Sequence, residues 1–183
     1  MQTYIALLRG INVSGQKKIK MADLREYLEE LGFQDIQTYI QSGNIVFRSK
    51  KMTSNNLEIL IKNKIQEKYG FEVPVIVITP DEIKHTANNN PFEKDNTKDP
   101  KKFCVVFLQE QPYQENIEKL KEYDYSPEEY VLSEKIIYYY AANGAGNAKM
   151  NNNFFENKLK VKASSRNWRT TNKLLEMVKL LDN

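Results

Sequence analysis

The segment "IQTYIQSGNIVFRS", residues 36–49, has the pattern of a β-hairpin. Two short runs rich in β-branched and aromatic residues, "IQTYI" and "NIVFRS", flank the turn residues "QSG". This spacing predicts two antiparallel strands joined by a tight hairpin turn. The elements on either side of the hairpin then indicate which sheet it joins.

A strand and a helix stand on each side of this hairpin. Before it, "TYIALLRG" at 3–10 is apolar on both alternating faces, as in a buried strand, and "KMADLREYLEELGF" at 20–33 has helical periodicity. After it come a helical segment, "SNNLEILIKNKIQEKYG" at 54–70, and a strand, "EVPVIVI" at 72–78. The resulting β-α-β-β-α-β order is that of the ferredoxin-like arrangement.

The same order recurs after a polar stretch, "NNNPFEKDNTKDPKK", that has no apolar period. The second set comprises strand "KFCVVFL", helix "YQENIEKLKEY", strands "EYVLS" and "KIIYYYA", helix "AKMNNNFFENKL", a strand near "VKAS" and a closing helix "WRTTNKLLEMVKLL". We predict an α+β protein of tandem ferredoxin-like units with antiparallel sheets and an extra C-terminal helix. The expected divisions are a first unit at 1–87, a linker at 88–100, and a second unit with the closing helix at 101–183. This would be a structural duplication; a single domain of mixed topology is the competing interpretation.

Composition limits the function classes. The 183 residues are 40% hydrophobic, which indicates a globular chain, and 27 basic against 24 acidic residues leave a net charge of only +3. That charge is too small to require nucleic acid as a partner, so local clustering must carry any such argument. No stretch approaches the ~20 apolar residues of a membrane span, so a cytoplasmic protein without membrane contact is expected. One cysteine, Cys104, and one histidine, His85, give no reason to expect a disulfide, a metal site or a cofactor.

A long polar loop follows the first strand. In the expected strand order 4-1-3-2, the end of the first strand lies beside the hairpin turn, so Arg9 should lie near Asn44. We therefore predict one ligand-binding rim formed by Arg9, Asn12, Gln41, Ser42 and Asn44. The alternative is that the loop glycines serve only backbone geometry and the polar groups cap loose ends.

A second basic cluster lies near the C-terminus. Six basic residues and no acidic ones occur from Lys158 to Lys173. The loop "NGAGNAK" at 143–149 and the segment "SSRNWRT", expected after the last strand, should converge at one edge of the second sheet. We predict an anion site there formed by Arg166, Arg169 and Asn167, with Asn167 capping the closing helix. The alternative is that both arginines point to water.

Four segments together resemble a bacterial family known as domain of unknown function 1697. They are "ALLRGINVSG", "LGFQDIQTYIQSGNIVF", "NNPF" and "SSRNWRTTNKL", and the resemblance covers nearly the whole chain. Family members usually have RGINVGG where this chain has Ser14, and TRNW where it has Ser165. The resemblance implies a two-part α+β fold of ferredoxin-like units, with no established activity, cofactor or catalytic residue.

The sequence is compatible with two classes of function. The first is a binding module for an anionic, phosphate-bearing ligand such as a nucleotide or a nucleic-acid segment. The alternative is an enzyme acting on a small metabolite in an interdomain cleft, although the loops offer no carboxylate pair, Cys-His set or phosphate-loop motif. RNA binding by sheet aromatics is also weighed, because Tyr4 stands where such an aromatic would lie in an RNA-recognition motif. The tyrosines of "KIIYYYA" are expected to pack the sheet instead.

Overall fold

The computed structural model describes residues 1–182, which contain eight strands and six α-helices. The strands are β1 (Gln2–Leu8), β2 (Gln34–Tyr39), β3 (Asn44–Ser49), β4 (Val75–Ile78), β5 (Phe103–Leu108), β6 (Glu129–Ser133), β7 (Ile136–Tyr140) and β8 (Ala163–Asn167). The helices are α1 (Met21–Glu29), α2 (Ser54–Tyr69), α3 (Pro80–Asn88), α4 (Gln114–Lys121), α5 (Asn152–Leu159) and α6 (Trp168–Asp182). Mixed helix and sheet of this kind make an α+β protein.

The first sheet has the strand order β2-β3-β1-β4, and every neighbouring pair is antiparallel. One face of the sheet packs on α1 and α2 because apolar residues recur at the period of each element. Its core contains Ala6 and Phe47 from the strands with Leu24, Leu28 and Ile61 from the helices. The helices thereby cover one face, and the loops that join strands to helices emerge at the two edges.

The second sheet repeats this arrangement with the order β6-β7-β5-β8, again antiparallel throughout. Val106 and Ile137 from the central strands share a buried cluster with Leu120 of α4 and with Phe155 and Leu159 of α5. The expected β-α-β-β-α-β order is therefore present in both halves, and both four-stranded sheets are antiparallel as predicted.

The chain divides into two compact units. One consists of Met1–His85 together with the segment that begins at Lys173, and the other is Thr86–Asn172. The sequence assigned 88–100 to a linker and the whole closing helix to the second unit. Residues Pro91–Lys94 instead form a 3₁₀ turn whose Phe92 is buried, with its ring 6.0 Å from that of Phe103. Phe92 thus belongs to the core of the second unit.

The last strand extends further than predicted. The sequence placed it near "VKAS", but β8 continues through Asn167, so "SSRN" lies within the strand and not after it. The alternation of this segment is hard to recognise because serine and arginine occupy strand positions. Over residues 1–182, no helix is both long and apolar enough to span a bilayer. A cytoplasmic location stays a prediction.

Candidate functional site

The loop after β1 and the β2–β3 turn meet at one edge of the first sheet. Leu7 is paired with Asn44, and the Leu8 amide donates to the Gly43 carbonyl at 2.8 Å. Arg9 follows directly and lies beside the turn. The predicted adjacency of this loop and the hairpin is confirmed. We call residues 9–20 and 40–44 the first rim.

Gly43 allows the hairpin turn to approach β1 closely. Its φ is +76°, and a Cβ built on it would lie 2.5 Å from the Cβ of Leu8. Any larger residue would therefore collide with β1 as well as adopt an unfavourable backbone conformation. The short approach fixes the turn against the end of the strand that carries Arg9.

The loop after β1 forms a small hairpin of its own. The Gln16 amide donates to the Val13 carbonyl at 2.9 Å, and the Asn12 amide donates to the Lys17 carbonyl at 3.2 Å. Ser14 and Gly15 between them have φ values of +49° and +74°, the positive pair of a type I′ turn. The additional residues of this loop thus form a small β-hairpin that projects from the sheet edge.

Asn12 anchors that projection through its side chain. Its Nδ2 donates to the carbonyls of Ile19 at 2.9 Å and Gln41 at 2.8 Å, while its Oδ1 accepts from the Ile19 amide at 2.9 Å. The side chain therefore closes the base of the loop and ties it to the hairpin turn. Both of its N–H groups are already used, which favours a positioning role over direct ligand contact.

Asn44 and Ser42 also serve the turn. Asn44 is fully buried, and its Nδ2 donates to the Tyr39 carbonyl at 3.1 Å and to Ser42 Oγ at 2.9 Å. Gln41 and Ser42 are exposed, and Gln41 contributes its carbonyl to the Asn12 bond. The five residues predicted for this rim are brought together, but their asparagine N–H groups bond the protein itself. Their role toward a ligand stays a prediction.

Three lysines on the same loop were missed at the sequence level. Lys17, Lys18 and Lys20 are exposed, and no acidic residue occurs from 9 to 22. Lys17 Nζ donates to the Glu72 carbonyl at 2.6 Å, which holds that ammonium at the rim. The run "GQKKIK" was the signal available in the sequence, and it becomes informative because the hairpin of this loop joins Lys17 to Asn12.

The second cluster lies at one edge of the second sheet. β5 pairs Phe103 with Tyr140 and Cys104 with Asn167, so the loop after β7, which includes 143–149, and the end of β8 emerge on the same side. We call residues 143–149 and 166–169 the second rim. The expected convergence is confirmed at the level of the strands.

Arg166 lies inside this sheet and not in a loop. It pairs with Val105 and is 8% exposed, and its Nη1 donates to Ser164 Oγ at 3.0 Å and to the Ser165 carbonyl at 2.8 Å. Burial lowers the pKa of the guanidinium to about 10, because the charged form loses hydration. The expectation that Arg166 follows the last strand is wrong, although it does lie two residues before the start of α6. Its binding role stays a prediction.

Asn167 caps α6 as predicted, accepting from the Thr170 amide at 2.8 Å through Oδ1. Arg169 is exposed in the first turn of that helix. With Pro100, Lys101, Asn167 and Trp168 it lines an open groove of about 380 Å³. Two basic residues, Lys101 and Arg169, thus line the groove near the start of α6. The Asn167 side chain is already engaged in the N-cap hydrogen bond.

The two rims occupy non-equivalent edges of two similar sheets. In the second sheet the Leu108 amide donates to Lys135 and the Gln109 amide to Lys162, both at 2.9 Å. These bonds match those of Leu8 with Gly43 and of Arg9 with Pro74 in the first sheet. Gln109 thus occupies the position equivalent to Arg9, and only five residues follow β5 before α4, against twelve between β1 and α1. The long cationic loop is specific to the first unit.

Most of the chain matches a known protein family. Residues 1–138 match the model of the "Protein of unknown function (DUF1697)" family. The chain belongs to the DUF1697 family. A solved structure, the conserved bacterial protein SP0830 from Streptococcus pneumoniae, has a TM-score of 0.76 at 22% identity, covering 97% of this chain and 98% of that one. No curated protein matches the chain.

Reactive groups in this DUF1697 chain are few. Cys104 is 7% exposed, and burial raises the pKa of its thiol to about 11, so the thiolate is disfavoured near neutrality. His85 is exposed on α3. Within residues 1–182, no group of three or more His, Cys, Asp or Glu side chains is arranged to hold a metal ion.

Three tyrosines of the sheets, Tyr4, Tyr138 and Tyr139, are core residues. Tyr4 is 4% exposed, lies in the cluster beneath the helices and stacks on Phe47 at 5.9 Å. Tyr138 and Tyr139 are buried as well, with their hydroxyls bonded to the Thr86 carbonyl and to Glu128. The expectation that the sheet tyrosines pack in preference to stacking on bases agrees with the position of Tyr4 in the cluster beneath the helices.

Proposed function

We propose that this DUF1697 protein is a binding module for a phosphate-bearing anion, and that the ligand docks on the first rim. One observation carries the proposal: a loop fixed at its base by Asn12 presents Arg9, Lys17, Lys18 and Lys20 with no acidic residue from 9 to 22. A loop whose backbone is already folded before binding loses less conformational entropy when the anion arrives. Arginine and lysine are the usual phosphate partners.

Backbone groups at the tip of the loop support the same chemistry. The amides of Ser14 and Gly15 have no hydrogen-bond partner within residues 1–182. Successive amides in a turn with positive φ form a concavity that favours anions. The tip therefore adds two donors to the positive charge of the lysines.

The second rim is a further candidate for anion binding, through Arg169, Asn167 and neighbouring Lys101. Its groove of about 380 Å³ supports this, although Arg166 is buried in β8. We give the first rim priority because its cations stand on a loop that the second unit does not repeat.

We also propose that the two units are tandem ferredoxin-like folds that arose by duplication. The shared element order and the matching hydrogen bonds of Leu8 and Leu108, and of Arg9 and Gln109, support this. The equivalent strands of the two units have the same backbone pairing, although their side chains differ.

Thermal unfolding with inorganic phosphate, pyrophosphate and nucleoside triphosphates tests the binding proposal. A ligand that binds only the folded chain at 100 times its Kd adds about 2.7 kcal/mol to the free energy of unfolding. The double variant Lys18→Gln/Lys20→Gln should lose most of this shift. The matched control Lys50→Gln/Lys51→Gln removes the same charge just after β3, at the other edge of the sheet, and should keep it.

Arg9→Gln provides a second test, because the second unit carries Gln109 at the equivalent position and folds with it. This variant should still fold cooperatively without ligand and should respond less to pyrophosphate. The proposal fails if no phosphate compound stabilises the parent chain, or if both lysine double variants respond equally.

A further inference from the structure

We infer that the phosphate-bearing ligand of the first rim is a single strand of nucleic acid and not a mononucleotide. This inference rests on the proposed function and names the ligand class for the same site. The inference depends on two exposed aliphatic residues near the cations, Val13 and Ile40.

Ile40 departs from two local expectations at once. Its φ is +50°, a conformation that is strained for a β-branched residue and is normally occupied by glycine or asparagine. Its side chain is also 53% exposed, so core packing does not account for an isoleucine here. An apolar side chain presented to solvent from a strained turn indicates a contact surface.

Val13 is presented in the same way from the neighbouring loop. It is 59% exposed and precedes the type I′ turn at Ser14 and Gly15. The hydrogen bond from Asn12 Nδ2 to the Gln41 carbonyl joins the residue before Val13 to the residue after Ile40. The loop and the turn are thereby held together with both aliphatic residues exposed.

The cations are spread along the loop. Arg9 lies at the strand end, Lys17 is held at the Glu72 carbonyl, and Lys18 and Lys20 follow toward α1. These positions extend over residues 9–20, and a strand with successive phosphates can engage more of them than a single phosphate group can. Apolar side chains between cations suit a ligand in which charged phosphates alternate with less polar bases and sugars. In a single strand these bases are accessible, while a duplex stacks them inside.

An acidic polypeptide is the competing ligand for a cationic surface with apolar residues. We favour nucleic acid because the turn amides of Ser14 and Gly15 and the arginine fork are suited to phosphate oxygens. The two ligand classes are separated by competition.

The test is fluorescence anisotropy with labelled 12-nucleotide single-stranded RNA and DNA at several salt concentrations. We expect at least tenfold tighter binding of an oligonucleotide than of a nucleoside triphosphate. Each of Lys18→Gln and Lys20→Gln should reduce the slope of log K against log salt by about 0.7, the value per phosphate contact for single strands. Lys50→Gln is the control and should leave the slope unchanged.

Ile40→Gly isolates the apolar contact, since glycine accepts the positive φ and keeps the net charge. It should weaken oligonucleotide binding severalfold at high salt, while the stabilisation by triphosphate stays as in the parent chain. Val13→Ser should act in the same direction. If both variants bind the oligonucleotide as tightly as the parent chain does, Val13 and Ile40 do not contact the ligand and the strand inference loses its basis.

Three outcomes separate this inference from the proposed function. If triphosphate stabilises the chain but the oligonucleotide binds no tighter, the strand inference fails and the anion site stands. If polyglutamate displaces the oligonucleotide as well as unlabelled RNA does, the surface does not select nucleic acid and the inference fails. If neither phosphate compound nor oligonucleotide binds, both proposals fail together.

Discussion

The side chain of Asn12 lies 2.8 Å from the backbone carbonyl of Gln41, joining two segments that are 29 residues apart. The same side chain also exchanges two hydrogen bonds with the backbone of Ile19. One residue therefore closes the base of a cationic loop and sets its position against the β2–β3 turn. The candidate site depends on this anchor more than on any direct donor that the asparagine could offer.

Replacing Asn12 by alanine should loosen the first rim. The change removes three hydrogen bonds and leaves alanine at a φ of +55°, so we expect the free energy of unfolding to fall by roughly 2 kcal/mol. Urea denaturation measures the loss. Asn63→Ala, on an exposed position of α2, is the control and should change stability little. An Asn12 variant as stable as the control would show that the anchor is unimportant.

Gly43→Ala tests the close approach of the hairpin turn to β1. The added Cβ meets Leu8 at 2.5 Å, so overpacking adds to the cost of a positive φ, and we expect a loss of roughly 3 kcal/mol. Gly15→Ala is a matched control, because its φ is +74° and no atom lies within 4 Å of the added Cβ. It should cost only about 1 kcal/mol. Similar losses for both glycines would mean that the contact with Leu8 relaxes freely.

Glu128→Gln tests a buried carboxylate of the second unit. Glu128 is 3% exposed and accepts from the Tyr139 hydroxyl at 2.8 Å and from the amides of Lys149 and Met150 at 3.0 and 3.1 Å. A glutamine would direct an NH₂ group at one or more of these donors, so we expect a loss of roughly 2 kcal/mol.

The Lys149 and Met150 amides precede α5, so hydrogen exchange should accelerate at both in the Glu128 variant. Glu122→Gln is the exposed control. Unchanged exchange at these two amides would contradict the role of Glu128 in holding the loop that contains 143–149.

Cys104 should make stability depend on alkaline pH. Burial raises the pKa of its thiol from its ordinary value of 9.0 to about 11, so the unfolded chain releases this proton first. The buried thiol makes its full contribution to the free energy of unfolding below pH 9. This contribution falls as the pH rises through 11, and the loss is about 2 kcal/mol at pH 11. Urea denaturation from pH 8 to 11 should show a shallower decline in Cys104→Ala than in the parent. Parallel declines would place the thiol in contact with water.

Thiol labelling provides a second measurement for Cys104. Because the side chain is buried in β5, labelling by a disulfide reagent at pH 8 should be slow and should follow the opening of the fold. Low concentrations of urea should accelerate it. Rapid labelling in native buffer would show that the side chain is accessible.

Local sequence patterns were sufficient for the elements and their order. The alternation in "NIVFRS" and "VPVIVI" and the helical period of Leu24 and Leu28 each depend on contacts that repeat along one segment. The adjacency of Arg9 to the hairpin also followed from the sequence, because strand order fixes which loops share an edge. The α+β class and the meeting of these loops at one edge of each sheet could therefore be predicted.

Other features were decided only by tertiary contacts. Nothing local distinguishes Asn12 as an anchor from a free donor, since its partner Gln41 is distant in sequence. Arg166 was expected in a loop because an arginine among serines has no strand pattern, yet pairing with Val105 draws it into β8. The lysines of "GQKKIK" were overlooked because nothing local shows that their segment closes a type I′ hairpin on Asn12. Neighbouring residues are enough to specify helices and strands, because the contacts that form them repeat along one segment. The partners of Asn12 and Arg166 depend on hydrogen bonds and strand pairing between segments that are distant in sequence, so they are known only from the folded structure.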